Sequence, residues 1–250
     1  MALRYQKPPL VEALCEVRFA SPEGHAWDWT IPGMLYQRIQ ARFPARKERH
    51  AIAFPIGAAQ VEPPRHAIER LQFASPDGTM IVQVGPDLLA VNSLRPHLGW
   101  PELRDTFLGV LGAYCELAAP RALTMAAVRY INRVEIPLRP GFALEKYFAV
   151  VPGLPGGVSG AVSTFLMHTE VRYEEPAAIF RFRFGTTATE SADDVAAFML
   201  DYEHVAPGPV APTFDSLPAW LDVGHDRIER AFYGSFTEMT HAELFQETRP

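Results

Sequence analysis

Asn132 is the polar residue whose setting in the sequence says most about function. It lies in the register Val128, Tyr130, Asn132, Val134 and Ile136, in which every other member is apolar or aromatic. An alternation of period two places such residues on the buried face of a β-strand. A buried amide that lacks partners costs about 1–3 kcal/mol. The amide therefore either ties down a bulge or a neighbouring loop, or contacts a bound ligand or partner.

Charged residues occupy the opposite register of the same strand and recur on other strands. They are Arg129, Arg133 and Glu135, then His168, Glu170 and Arg172, then Arg181 and Arg183, with Glu12, Glu16 and Arg18 on the first strand. One interpretation is a cross-strand ladder of opposite charges, which contributes a few tenths of a kcal/mol per pair. The other is an arginine-rich recognition surface, because the guanidinium fork binds carboxylates and phosphates with two hydrogen bonds.

Asp201, Glu203 and His204 combine acids and a base within one strand, as general acid–base catalysis requires. Alternation places Asp201 and Glu203 on one side of the strand and His204 on the other. An ion-paired or solvated sheet face is the alternative interpretation. The enzyme hypothesis needs Asn132, His168, Asp201 and His204 to converge in one site between the two halves of the chain.

Metal and cofactor motifs are weak or absent in the sequence. His225 and Glu229 are four residues apart and share a helix face, but a metal site needs three or four ligands, so a solvated face is the alternative. The sequence contains no nucleophile elbow, phosphate-binding loop, dinucleotide fingerprint, HExxH motif or paired CxxC motif. We therefore expect no metal and no cofactor, and a non-catalytic protein is favoured over an enzyme.

The hydrophobic periodicity predicts the elements that position these residues. The stretch Pro8–Ala20 alternates and indicates a strand, with Val11, Ala13, Cys15, Val17 and Phe19 buried. Further strands are predicted at His50–Ile56, Arg70–Ala74, Thr79–Val84, Leu88–Leu94, Leu123–Pro137, Val158–Tyr173, Ala178–Phe184 and Ala197–Val205. Helices are predicted from a Thr30 cap to Phe43, from Trp100 to before Pro120, at Phe142–Val150, at Ser216–Tyr233, and as a short turn within Thr237–Phe245.

This order predicts an α+β fold. Residues 1–120 and 121–250 each follow strand, helix, three or four strands, helix, which indicates two tandem β-α-β(3-4)-α units in one compact domain. The units would share an extended, mostly antiparallel sheet with the helices on one face. The order is similar to that of TATA-binding-protein-like folds and, more loosely, helix-grip folds. Such an analogy concerns the fold and not the function.

Composition limits the partners and the compartment. The chain of 250 residues has a net charge of −6, which argues against non-specific binding to nucleic acid or anionic membranes. No signal-peptide pattern and no apolar run long enough to span a membrane occur. Cys15 and Cys115 lie in apolar patterns and are expected to be buried, reduced thiols, which favours a cytoplasmic location.

Three stretches resemble a sporadically distributed bacterial family of about this length. They are KPPLVEALCEVRF at Lys7–Phe19, VRYINRVEIP at Val128–Pro137 and FMLDYEHV at Phe198–Val205. The family signature is an N-terminal Pro-Pro-hydrophobic-Val-Glu-Ala and a central Arg-Tyr-Ile-Asn-Arg strand, and the likeness spans almost the whole chain. The resemblance implies a bacterial, cytoplasmic protein with an accessory role in a mobile or defence-type gene cluster. It implies no catalytic residues.

These observations favour a binding module that acts through an open sheet face or through a cleft between sheet and helices. The expected partner is a protein or a small ligand. The candidate binding residues are Asn132, Arg129, Arg133, His168, Arg181, Arg183, Asp201 and His204. An enzyme with a site between the halves and a nucleic-acid binder that uses the sheet face are the alternatives, and the acidic charge disfavours the second. A homodimer is one state that the sequence allows, because long sheet edges tend to be covered.

Overall fold

The computed structural model of the chain describes residues 4–20, 28–53, 65–156, 162–189 and 194–248. The strands are β1 (Arg4–Tyr5), β2 (Leu10–Phe19), β3 (Ala45–Ala53), β4 (Arg65–Ala74), β5 (Met80–Gly85), β6 (Leu88–Leu94), β7 (Leu123–Pro137), β8 (Leu166–Glu174), β9 (Ala177–Thr187), β10 (Val195–Pro207) and β11 (Glu247–Thr248). The α-helices are α1 (Thr30–Ile39), α2 (Trp100–Ala118) and α3 (Leu217–Gly234). The secondary structure also includes 3-10 turns at Leu144–Lys146 and Gly208–Val210 and a π-helical turn at Thr240–Leu244.

The predicted α+β class and the mostly antiparallel sheet are confirmed. Nine strands, β2 to β10, belong to one sheet, while β1 and β11 pair separately with each other. The tandem duplication stays a prediction.

The chain forms two compact units that are discontinuous in sequence. Unit 1 comprises Met1–Ala13, Val128–Ala206 and Asp222–Pro250, and unit 2 comprises Leu14–Ala127 and Pro207–Leu221. The boundaries of these units fall within β2, β7, β10 and α3. The predicted division between residues 120 and 121 stays a prediction.

Unit 2 contains the antiparallel meander of β3, β4, β5 and β6. In the turn between β4 and β5, Gly78 has a φ of 71° and Asp77 accepts a hydrogen bond from the Thr79 amide, as suits glycine and aspartate at such positions. Helices α1 and α2 pack against each other, and α2 also packs against β6. Buried side chains such as Leu35 and Phe107 form the core between them.

Unit 1 contains the antiparallel strands β8, β9 and β10. Phe180, Phe182 and Phe184 of β9 alternate with Arg181 and Arg183. The apolar face of these strands packs against the part of α3 that belongs to this unit. Tyr202 of β10 lies edge-on to Phe232 of α3, with the ring centroids 6.3 Å apart. One face of these strands therefore packs against α3, and the other face carries the charged side chains.

Several predicted elements differ from those observed. The stretch Phe142–Val150 contains only the 3-10 turn, because Gly141 breaks the backbone at a φ of 79° and Phe148 forms an isolated antiparallel bridge with Phe236. Thr30 is the first residue of α1 rather than its cap, and Asp28 accepts a hydrogen bond from its amide.

Strand boundaries also shift. β3 begins at Ala45 instead of His50, and β8 begins at Leu166 instead of Val158. The predicted residues 54–56 and 158–161 lie outside the described part of the chain. β3 and β8 are the first and last strands of the sheet order. Such edge strands have little apolar alternation, so periodicity places their ends poorly.

The predictions about membrane-spanning segments and about the two cysteines concern features that the structure describes. Among the described residues, no helix is both long enough and apolar enough to cross a membrane. Both cysteines are free thiols. Cys15 is buried as predicted, whereas Cys115 is only partly buried, because it lies at the border of the apolar stripe of α2.

Candidate functional site

One face of the sheet in unit 1 carries a network of ion pairs. Arg129 donates from Nε and Nη2 to the two carboxylate oxygens of Asp201, at 2.8 Å each. Arg183 donates from Nη1 to Asp201 Oδ2 at 2.9 Å. Burial alone would raise the pKa of Asp201, but the hydrogen bonds and positive charges of the two arginines outweigh it and lower the pKa below its ordinary value.

The network continues towards β8. Arg181 donates from Nε to Glu170 at 2.8 Å and from Nη1 to Glu203 at 3.1 Å. His168 Nε2 lies 3.7 Å from a Glu170 oxygen. Three guanidinium groups, those of Arg129, Arg181 and Arg183, thus face three carboxylates, those of Glu170, Asp201 and Glu203. Because the arginines are already paired with carboxylates of the same face, this arrangement favours the cross-strand charge ladder over an arginine-rich surface that binds an acidic partner.

Arg133 is likewise engaged within unit 1. Its Nη2 donates to Glu135 Oε1 at 2.8 Å and to the Ala188 carbonyl at 2.7 Å. Its side chain is only 12% exposed. Arg133 therefore holds the segment after β9 in place and offers little surface to a partner.

His204 lies on the opposite face, against α3. It is fully buried, and a Cβ built on Gly224 of α3 would meet its Cδ2 at 2.6 Å, so only glycine permits this approach of helix and strand. Burial first, and the charge of Arg227 second, lower the pKa of His204 to about 3. The imidazole is therefore a neutral core group at ordinary pH.

The four residues of the enzyme hypothesis do not share a pocket. Asp201 and His168 belong to the charged face, whereas His204 packs against α3 and Asn132 lines a cleft beside α3. The sheet separates the two pairs. The convergence that the hypothesis requires is not met.

A cavity of about 160 Å³ lies in unit 1 between the start of β2, β7 and α3. Its walls are mostly aromatic rings and proline or leucine side chains, joined by one amide, one imidazole and one carboxylate. The lining residues are Tyr5, Pro8, Pro9, Leu10, Tyr130, Asn132, His225, Glu229, Phe232 and Tyr233. An apolar pocket with a few convergent polar groups is the usual form of a small-molecule site.

Asn132 supplies the polar group that stands out in this cavity. Its residue surface is 2% exposed, and its Nδ2 has no hydrogen-bond partner among the described residues. Leaving a buried donor unsatisfied costs about 1–3 kcal/mol. Of the two sequence-based alternatives for Asn132, a structural tie through this nitrogen is not observed, and a bound group that accepts its hydrogen bond would remove the cost.

Tyr130 and His225 form the polar pair beside the amide. The Tyr130 hydroxyl lies 2.8 Å from His225 Nδ1 and shares a hydrogen bond with it. Burial lowers the pKa of His225, although Glu229, Asp226 and Asp222 oppose the shift. The imidazole is therefore neutral at pH 7, and Glu229 is the charged group of the lining.

The N-terminal segment closes one side of the cavity. β1 pairs with β11, and the Tyr5 hydroxyl hydrogen-bonds to His241 Nδ1 at 2.8 Å. The His241 ring stacks on Tyr233 at 4.4 Å, and its Nε2 lies 3.0 Å from the Tyr233 carbonyl oxygen. These contacts hold Tyr5 and Tyr233 as fixed walls.

His225, Asp226 and Glu229 also form a cluster in which one ligand atom of each lies within 4.8 Å of the others. The sequence indicated His225 and Glu229, and the structure adds Asp226. Two of the three groups are exposed, and exposed acidic groups gather in this way without an ion. The cluster by itself does not define a metal site.

The sequence indicated Asn132 and the pair His225 and Glu229 separately, but not that they line one cavity together with Tyr130 and Tyr5. Tyr130 lies two positions earlier in the same register, and His225 and Glu229 share a helix face, so both signals were present. Tyr5 carried no such signal, because its partner His241 is 236 positions away.

The chain matches no protein-family model and no curated protein.

Proposed function

We propose that the protein is a binding module that holds a small, neutral carbonyl compound in the cleft of unit 1. The observation that carries this proposal is Asn132, a residue that lines the cavity and whose buried Nδ2 has no partner among the described residues. An amide nitrogen donates hydrogen bonds and accepts none. The complementary ligand atom is therefore an acceptor such as a carbonyl oxygen.

The size and the lining of the cleft support a compact, apolar ligand body. The cavity of about 160 Å³ is similar in volume to an engineered protein cavity of roughly 150 Å³ that binds benzene. Phe232, Tyr130 and Leu10 supply apolar or aromatic contact area. A single ring or an aliphatic group of that size fits, with its oxygen directed at Asn132.

The charges at the cleft argue for a neutral ligand over an anionic one. Glu229 lines the cleft, and Asp226 lies beside it. His225 is neutral at pH 7, because burial lowers its pKa, so it does not balance these carboxylates. A carboxylate ligand would meet repulsion and would lose its hydration on entry, whereas a ketone or an amide would not.

The open sheet face is the weaker candidate for the binding surface. Arg129, Arg181 and Arg183 already donate to carboxylates of the same face at 2.8–3.1 Å. A partner would have to replace these contacts to bind there, which offsets much of what it contributes. The cleft is instead lined by Asn132, whose buried Nδ2 has no partner among the described residues.

The proposal can be tested with acetophenone and ethylbenzene as probes. They share a ring and a two-carbon side chain, and only acetophenone carries a carbonyl oxygen. A net hydrogen bond of about 0.5–1.5 kcal/mol predicts that acetophenone binds about 2- to 13-fold more tightly, as measured by NMR titration. Benzoate, which adds a negative charge, is expected to bind more weakly than acetophenone.

The variant Asn132→Leu removes the donor and keeps the branching at Cγ. In that variant the two affinities are expected to become equal. Asn92→Leu serves as the control, because Asn92 is a buried amide of unit 2, and it should leave the affinity ratio unchanged. Equal affinities for both probes in the unmodified protein, or no binding of either, would contradict the proposal.

A further inference from the structure

β8 is an edge strand of the sheet. It pairs with β9 and is the last strand in the sheet order, so no described strand pairs with its outer side. Leu166 is 76% exposed, Val171 44% and Tyr173 37%. A nine-residue edge of this kind offers a row of backbone donors and acceptors to another strand.

The ladder with β9 shows which backbone groups point outward. The Thr186 amide donates to the Phe165 carbonyl at 3.1 Å, and Leu166 stands opposite Gly185. Phe165 and Thr186 are therefore a hydrogen-bonded pair of the antiparallel ladder, and such pairs recur at every second residue. Odd-numbered residues of β8 thus bond to β9, and the amides and carbonyls of the even-numbered residues point away from the sheet.

Most of the residues with outward-pointing backbone groups have acidic or basic side chains. They are Leu166, His168, Glu170, Arg172 and Glu174. In an antiparallel pairing of two copies, even-numbered residues must face even-numbered residues to form hydrogen-bonded pairs. Only a few alignments of the two strands satisfy this condition. Each alignment, or register, is defined by the residue that lies on the two-fold axis and faces its own copy.

Charge distinguishes these registers. With Glu170 on the axis, Glu170 faces itself and His168 faces Arg172. With Arg172 on the axis, Arg172 faces itself and Glu170 faces Glu174. With Thr169 on the axis, His168 faces Glu170, but Arg172 faces the apolar Leu166. Like charges directly opposite each other are destabilising.

The register with Val171 on the axis places every acidic side chain of this set opposite a basic one. Glu170 then faces the partner's Arg172, and His168 faces the partner's Glu174, and both contacts occur twice by symmetry. Val171 meets the partner's Val171 in the closer, non-hydrogen-bonded type of pair, which suits a half-exposed β-branched side chain.

We infer that β8 is the interface of a two-fold homodimer, in which two copies pair antiparallel about Val171. The contact is isologous, so it closes at two copies and does not propagate into a fibre. In each of the registers centred on Thr169, Glu170 or Arg172, at least one of Glu170 and Arg172 faces a like-charged or apolar side chain, whereas the two face each other in this one. The inference is independent of the ligand cleft, because none of the residues that line the cleft belongs to β8.

The experiment exploits the reciprocal pairing of Glu170 and Arg172. Glu170→Arg places two arginines opposite each other, and Arg172→Glu places two glutamates opposite each other. Native mass spectrometry and light scattering at about 100 µM protein should find a dimer for the unmodified chain. Each variant alone should weaken the dimer by about tenfold or more. Glu238→Arg, an exposed substitution outside β8, controls for the change in net charge and should remain dimeric.

Mixing the two variants is the decisive step. In a heterodimer, the positive position 170 of the Glu170→Arg variant would face the negative position 172 of the Arg172→Glu variant. At the second contact, the unchanged Arg172 of the first variant would meet the unchanged Glu170 of the other. The mixture should therefore form a one-to-one heterodimer, which a variant that fails to fold could not do. A monomeric unmodified protein, variants that remain dimeric, or a mixture that stays monomeric would each overturn the inference.

Discussion

Replacing Asn132 with leucine should make the unliganded protein more stable while it weakens ligand binding. The amide is 2% exposed, and its Nδ2 has no partner among the described residues. Folding therefore removes this donor from water without compensation. Leucine has the same branching at Cγ, carries no polar atom and has the adjacent cavity of about 160 Å³ to accommodate its shape.

The expected gain follows from the cost of a buried, unsatisfied group. That cost is about 1–3 kcal/mol, and burial of the added apolar surface contributes in the same direction. For a chain of 250 residues, about 1 kcal/mol corresponds to a shift in Tm of about 2–4 °C. We therefore expect Asn132→Leu to raise the Tm by about 2–12 °C.

Asn92 provides a matched control with the opposite sign. It is also buried, at 4% exposed, but its Oδ1 accepts a hydrogen bond from Gln83 Nε2 at 2.7 Å. Asn92→Leu leaves the Gln83 donor without that acceptor in a buried setting. The variant should therefore lose about 1–3 kcal/mol of stability.

The assay is urea and thermal unfolding of the three proteins without added ligand, followed by circular dichroism. The same substitution at two buried amides is expected to change the free energy of unfolding in opposite directions. A loss of more than about 1 kcal/mol for Asn132→Leu would refute it, because the amide would then be contributing hydrogen bonds to the folded state.

Three further predictions concern residues that shape unit 1. Gly224→Ala should cost about 1–3 kcal/mol in urea unfolding because its Cβ would meet His204 Cδ2 at 2.6 Å, whereas Gly109→Ala, with nothing within 4 Å, should be neutral or stabilising. His204 has a pKa of about 3 in the folded protein, below its unfolded value of about 6.5, so the neutral imidazole favours the folded state fully above pH 6.5 and less as the pH falls towards 3. Urea unfolding should show that the free energy of unfolding decreases by about 2 kcal/mol between pH 7 and pH 5. The decrease should be smaller in His204→Gln. Asp201→Asn should lose about 1–3 kcal/mol at pH 7, and its deficit relative to the unmodified protein should shrink below about pH 4, because the lowered pKa of Asp201 stabilises the fold only while the carboxylate is charged.

The strands that bury one face were predictable from periodicity. In β2, residues Ala13, Cys15, Val17 and Phe19 are buried as the alternation indicated, whereas Val11 at the start of the strand is only partly buried. The same logic placed Asn132 inside and the charges of Arg181 and its neighbours outside. Here the side-chain period of two is a local property, so a short window of sequence contains the necessary information.

The cleft and the edge strands were not predictable in the same way. Tyr5 reaches the cleft because β1 pairs with β11 at the far end of the chain. That pairing involves two residues on each side, too few to leave a pattern. β8 is exposed along nearly its whole length, so its alternation is not enforced by a core. Non-local contacts and solvent-facing strands both leave weak signals in a single sequence.

The most direct test of the ligand proposal is the side-chain amide resonance of Asn132 in a ¹⁵N–¹H spectrum, assigned by its disappearance in Asn132→Leu. Titration with acetophenone should shift its protons downfield as Nδ2 donates to the carbonyl oxygen, and titration with ethylbenzene should not. An Asn132 resonance that stays unchanged at saturating acetophenone would contradict the proposal that this amide binds a carbonyl ligand.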